Sequence, residues 1–170
     1  FLGKDEFSSI EIYDIHQDKE NDYWFATNNS LYKYDGYKFT QYVHPLQLSN
    51  SLFNIIEDKK GNIYCNNLNG QIFKVQNNEM ELMHKVPDST LTAFISLVID
   101  DCDNLIIHSK NLYKIDLQNN EITNLIEEAY GHNHLSVPFK AKNGNVYLNY
   151  WQDSITKITK GDVTSVYLDW

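Results

Sequence analysis

The sequence predicts an all-β chain: a β-propeller fragment of about four blades, each a four-stranded antiparallel meander. Three observations predict this. The first is composition, with twenty Asn and twelve Tyr but only four Ala in 170 residues. Helices use Ala heavily, strands favour aromatics, and Asn suits tight turns. The second is a recurring tetrad. Leu31-Tyr32-Lys33-Tyr34, Ile72-Phe73-Lys74-Val75, Leu112-Tyr113-Lys114-Ile115 and Ile155-Thr156-Lys157-Ile158 place their lysines 41, 40 and 43 residues apart. The third is a separate frame: Asp18, Asp58, Asp100 and Ala141 are spaced by 40, 42 and 41 residues. A period of this length suits a propeller blade.

Each repeat reads in one order, clearest in the second. An apolar alternation with Leu52, Ile55 and Ile56 forms a first strand and ends at an acidic residue. A turn follows, and three residues after the frame position stands Asn21, Gly61, Asp103 or Gly144. These types tolerate a left-handed backbone. The second strand is Ile63 to Asn66, with a large residue (Trp24, Tyr64, Ile106 or Tyr147) six after the frame position. The aromatics there should fill the wedge between packed sheets. Asn67 to Gly70 turn the chain into a third strand, Gln71 to Val75. The tetrad lysine in it alternates with apolar neighbours, which places it on a solvated strand face. The turn Gln76-Asn77-Asn78 leads to an edge strand around Met80 to Met83. Leu125 to Tyr130 read as a loop with one helical turn between repeats.

The blades then span approximately 10–43, 52–83, 93–125 and 134–168 of one segment, 1–170. A seven-bladed ring at this period needs roughly 290 residues. A closed four-bladed ring is the alternative, and the chain is expected to be the N-terminal part of a longer propeller. Cut from its ring, it would expose blade faces and tend to self-associate.

Ile12-Tyr13-Asp14-Ile15-His16-Gln17-Asp18, Tyr23-Trp24-Phe25-Ala26-Thr27 and Leu31-Tyr32-Lys33-Tyr34-Asp35-Gly36-Tyr37-Lys38-Phe39 together resemble the two-component regulator propeller repeat. Phe53 to Tyr64 follow the same pattern, with Tyr64 in place of Trp. The later repeats keep only its frame. Ser30 and Asn21 stand where the repeat has Gly. The resemblance implies the extracytoplasmic sensor region of a Bacteroidetes-type sensor histidine kinase. It further implies a periplasmic or extracytoplasmic location, a membrane anchor in a segment absent from this chain, and saccharide sensing in many relatives. The matched positions form blades and transfer no ligand.

Charge excludes one class of partner. There are 14 Lys and no Arg against 23 acidic residues, for a net charge of −9. Nucleic-acid binding needs a basic face, and Arg reads most base edges. No cofactor and no catalytic residue is expected: no phosphate loop, metalloprotease helix or nucleophile elbow is present. Cys65 and Cys102 set no disulfide framework; they read as two free thiols, with a single bridge in an oxidising compartment as the alternative. No metal site is expected either, since His132 and His134 are the only clustered histidine pair and lack a third ligand. Four residues are candidate ligand contacts: His132 and His134 in a loop, and Tyr150 and Trp151 in the second turn region of the fourth repeat. The expected partners are an unknown small molecule or glycan, the rest of the propeller, and other copies through exposed blade faces. The leading expectation is a non-enzymatic, ligand-sensing propeller segment. The alternatives are a protein-interaction scaffold and a propeller lyase or hydrolase.

Overall fold

The computed structural model describes residues 9–86, 95–109, 111–126, 137–151 and 154–167. The described chain is all strand and turn, and it divides into two units, Phe1–Pro87 and Asp88–Trp170. In the first unit β1 (Ile12–Gln17), β2 (Tyr23–Thr27), β3 (Ser30–Tyr34) and β4 (Phe39–Tyr42) form one sheet. β5 (Leu52–Glu57), β6 (Ile63–Asn67), β7 (Gln71–Gln76) and β8 (Glu79–Lys85) form a second. In the second unit β9 (Ser96–Ile99), β10 (Asn104–His108), β11 (Leu112–Asp116) and β12 (Ile122–Ile126) make the third sheet. The fourth comprises β13 (Phe139–Lys140), β14 (Val146–Trp151), β15 (Ser154–Thr159) and β16 (Asp162–Tyr167). Every sheet is an antiparallel meander in chain order, as the turn punctuation predicts.

The turn after each first strand explains the frame. Asn21, Gly61, Asp103 and Gly144 have φ of 69°, 88°, 60° and 80°, the left-handed conformation expected of them. In the first three turns the Asp three residues earlier is the buried acceptor. Asp58 Oδ1 accepts from the N–H groups of Lys60 (2.9 Å) and Asn62 (2.8 Å). Its Oδ2 accepts from the Asn62 amide (2.7 Å) and the Tyr64 hydroxyl (2.9 Å). Burial alone would raise the Asp58 pKa, but these donors more than offset it and hold the carboxyl below its ordinary value. Asp18 does the same for the N–H groups of Glu20 and Asp22, and it accepts from the Trp24 indole at 2.7 Å. The aromatic six residues on is therefore packing for the core and also a donor to the turn.

The core of the first unit lies between its two sheets. Trp24, Ala26, Leu31 and Tyr42 of the first sheet meet Leu52, Ile55, Ile63, Cys65, Phe73 and Val75 of the second. In the second unit Ile106 and Leu112 of the third sheet meet Val146, Leu148 and Ile158 of the fourth. Trp24, Tyr64 and Ile106 are buried as expected, while Tyr147 is only half-buried.

Three expectations are corrected. The tetrad lysines do not stand on a solvated face. Lys33, Lys74, Lys114 and Lys157 lie directly opposite Trp24, Tyr64, Ile106 and Tyr147, so each shares that residue's face, and all four are half-buried. A lysine stem can cover apolar surface while its head finds a partner. Lys33 sits 5.3 Å from the Trp24 ring centre and pairs with Asp22 at 2.7 Å. Leu125 and Ile126 belong to β12 rather than to a helical loop, and 127–130 lie outside the described residues. Tyr150 and Trp151 belong to β14, not to a turn. A bulge between Asn149 and Trp151 adds a residue to that strand, which moves the turn along the sequence.

Candidate functional site

Of the sequence-predicted contacts, His132 and His134 lie outside the described residues. Tyr150 and Trp151 are strand residues near the end of β14. Among the described residues no group of three or more His, Cys, Asp or Glu could hold a metal ion. Cys65 is buried, and burial pushes its thiol well up, away from the thiolate a nucleophile needs. Cys102 is an exposed free cysteine.

A different surface emerges in the first unit. The meander order puts the starts of β1 and β5, the β2–β3 and β6–β7 turns and the loop 43–51 at one end. Residues 23–32, 39–56 and 61–73 contain no Asp, Glu or Lys. The opposite end carries Asp18, Lys19, Glu20, Asp22, Asp35, Lys38, Asp58, Lys59 and Lys60. A strongly acidic chain thus presents one nearly neutral end, where Glu11 and Lys85 are the charged residues of the described strand ends and turns.

An aromatic pair marks this end. Tyr13 of β1 and Phe53 of β5 stack with ring centres 4.7 Å apart and planes 15° from parallel. Both flank bulges, because β1 shifts register between Ile12 and Asp14, and β5 between Phe53 and Ile56. Asn54 takes φ 54° in the β5 bulge and donates from Nδ2 to Asn66 Oδ1 at 2.8 Å. Asp14 Oδ2 accepts the Ile55 N–H at 2.7 Å, which ties the two bulges together. The Tyr13 ring stays exposed, and its hydroxyl donates to Glu11 Oε2 at 3.0 Å. That bond, with some burial, raises the Tyr13 pKa. Asn28 fixes Glu11 in turn, accepting its N–H at Oδ1 (3.0 Å) and donating its own N–H to the Glu11 carbonyl (3.0 Å).

The neighbouring loop is also held. The buried Gln71 amide donates to the Leu46 carbonyl (2.8 Å) and accepts from the Leu48 N–H (2.8 Å) and from Asn67 Nδ2 (2.7 Å). His44 Nδ1 accepts the Leu46 N–H at 3.1 Å. Leu46 and Leu48 are thereby fixed in place while 64% and 60% exposed. This end offers an exposed ring, apolar side chains and amides. Asp14 spends both carboxylate oxygens on the N–H groups of Ile15 and Ile55. Such a surface can bind a ligand without a proton-transfer pair, and it suits a neutral one. The sequence held a signal for it: Tyr13 and Phe53 stand 40 residues apart, each five before its frame Asp.

Residues 6–29 match the family model described as two component regulator propeller. No curated protein sequence matches the chain. Among solved structures it is similar to the extracellular domain assigned to a hybrid two component system of B. thetaiotaomicron, at 22% identity and TM-score 0.67, covering 94% of this chain and 24% of that one. It is also similar to virginiamycin B lyase from Staphylococcus aureus, at 14% identity and TM-score 0.70, covering 98% of this chain and 57% of the lyase. A gluconolactonase from Xanthomonas campestris matches at 8% identity and TM-score 0.62, over 91% of this chain and 61% of that one. The chain thus spans between a quarter and three fifths of the length of these structures. Four antiparallel four-stranded sheets and this likeness give the fold: the chain is a β-propeller segment, and residues 6–29, at its first blade, match the two-component regulator propeller repeat.

Proposed function

We infer that the chain is a non-enzymatic, ligand-sensing propeller segment of a bacterial two-component sensor histidine kinase, working outside the cytoplasm. The ligand class is neutral and hydroxyl-rich, a saccharide. Anchorage to the membrane belongs to a part of the protein outside this chain. The single observation that carries the reading is the sparsely charged end of the first unit, among the described residues, with the exposed Tyr13 ring stacked on the half-buried Phe53. Sugar rings lay their C–H faces on aromatic planes, and amides bond hydroxyls without needing charge. The regulator repeat and the extracellular neighbour support the sensor setting.

A thermal-shift screen of the chain against a neutral glycan panel tests it. A ligand at 100 times its dissociation constant adds about 2.7 kcal/mol of stability. Tyr13→Ala should abolish the shift while leaving the fold intact, because the Tyr13 ring is exposed. A shift that survives Tyr13→Ala would move the site elsewhere. A second reading, a protein-interaction scaffold, is favoured by Leu46 and Leu48, exposed on a hydrogen-bonded loop. Silence across the whole panel would favour that one.

A further inference from the structure

Contacts of two chemistries join the sheets of a unit. One kind is a lock at the turns, and it recurs in both units. Between the first and second sheets, the Lys19 stem lies over Gly61, and Glu57 accepts the Lys19 N–H at 3.2 Å and faces His16 Nε2 at 3.3 Å. Between the third and fourth, the Asp101 carboxylate lies over Gly144 and pairs with Lys140 at 3.1 Å. These side chains are spent on their own joints.

The opposite end of the first unit is different. Glu11 and Ser51 hold the same place in their repeats, seven residues before Asp18 and Asp58. They come together at Tyr13. Its hydroxyl donates to Glu11 Oε2 at 3.0 Å, and Ser51 stands beside it, offsetting part of the rise that Glu11 causes in its pKa. The third and fourth repeats have Ala93 and His134 at this place, so a blade does not need a carboxylate there. The fold does not need the Glu11 side chain either, because Asn28 already holds the Glu11 backbone at both its N–H and its carbonyl. That side chain is exposed, and a carboxylate has about four acceptor sites, of which Tyr13 takes one. Phe53 covers one face of the Tyr13 ring, while Tyr13 stays 41% exposed. An open aromatic surface and a charged acceptor therefore lie side by side.

We propose that Glu11 sets the specificity of this end. It accepts two adjacent hydroxyls of a sugar ring stacked on Tyr13, and it turns away sugars that carry a carboxylate or a sulfate. The proposal rests on the saccharide reading of the site and names the class of sugar. Neighbouring hydroxyls can donate together to the two oxygens of a carboxylate, and bonds to an ionised acceptor are roughly twice as strong as neutral ones. The same charge repels an anionic sugar, so one side chain both selects and rejects.

An array of neutral, carboxylated and sulfated glycans, probed with the chain, tests it. The chain should retain neutral glycans and pass over the acidic ones. Glu11→Gln should weaken neutral binding at least about tenfold, the loss of one charge-assisted bond, and should admit the acidic counterparts. Tyr13→Phe keeps both ring and carboxylate, so it should cost only about threefold and leave the acidic glycans excluded. Equal effects of the two variants would overturn the proposal, since Glu11 would then act only by holding the Tyr13 hydroxyl. Retention of acidic glycans by the unaltered chain would also overturn it, as would neutral binding that Glu11→Gln leaves intact. Silence on every glycan would overturn the saccharide reading, and the proposal with it. Should Glu11→Gln lower the urea midpoint of unfolding, Glu11→Ser repeats the measurement with the side chain that the second repeat carries at this place.

Discussion

The β5–β6 turn and the β13–β14 turn share a backbone and differ in chemistry. In the first, the Asp58 N–H donates to the Asn62 carbonyl at 3.0 Å and the Gly61 N–H to the Asp58 carbonyl at 3.0 Å. In the second, Ala141 and Asn145, then Gly144 and Ala141, make the same two bonds at 2.9 and 3.0 Å. Asp58 adds four side-chain bonds that Ala141 cannot make. The Asn143 side chain recovers one of them, accepting the Asn145 N–H at 3.1 Å. The shape of the turn therefore follows from the left-handed glycine and the strand pairing. The carboxylate reinforces that shape. This is why the fourth repeat can lose the motif and keep the frame.

Three experiments press on that comparison. Asp58→Ala converts the first turn to the second and removes the acceptor of four donors, the Tyr64 hydroxyl, the Asn62 side-chain amide and the N–H groups of Lys60 and Asn62, at a cost of about 3 kcal/mol. Urea unfolding should show it, and a loss too small to measure would mean that Asp58 adds nothing to the turn. Gly61→Ala should cost about 1–2 kcal/mol, because φ 88° strains any residue with a Cβ. The new methyl would also lie 2.6 Å from Lys19 Cε, so adding Lys19→Ala should return only the steric part. Full recovery on thermal unfolding would show that φ contributes nothing. The smallest effect concerns His84 of β8. Burial holds its imidazole below the ordinary value, and its Nε2 has no hydrogen-bond partner. The unfolded chain therefore takes up a proton first as pH falls through about 6.5, and stability declines from there down to the folded-state value. His84→Gln should flatten the stability profile on the acid side of neutrality, and an unchanged slope would remove His84 as the cause.

The strand order and the turn residues were legible in the sequence because left-handed turns admit few residue types. Asn21, Gly61, Asp103 and Gly144 all took the expected conformation. The lysine face was not legible. Alternation along one strand cannot show that a lysine stem will lie across from Trp24. The place of Trp151 was lost to a bulge, which adds a residue without a composition signal. The role of Asp18 and Asp58 was half-legible: their period was plain, while their donors are backbone groups that no side-chain motif names. The neutral end was missed because it joins three uncharged stretches that only the meander brings together, and the Tyr13–Phe53 stack joins two repeats. Tyr147 keeps the frame position, yet burial there depends on a neighbouring sheet, which a frame cannot supply.

The two turn locks bear on how a chain of repeats with one shared frame assembles in the right order. Each blade has an apolar face that would accept many others, so greasy contact alone cannot count. The lock residues differ in charge between the joints: Glu57 accepts the backbone N–H of Lys19 in one, and the Asp101 and Lys140 side chains pair in the other. Were the second blade to settle where the fourth belongs, Glu57 would meet Asp101, acid against acid. Were the fourth to settle on the first, Lys140 would meet Lys19. Like charges held together disfavour a wrong pairing more than a surface ion pair favours the right one. A pair of side chains that adds little to the strength of either joint thus acts as an address, read once while the blades find their neighbours.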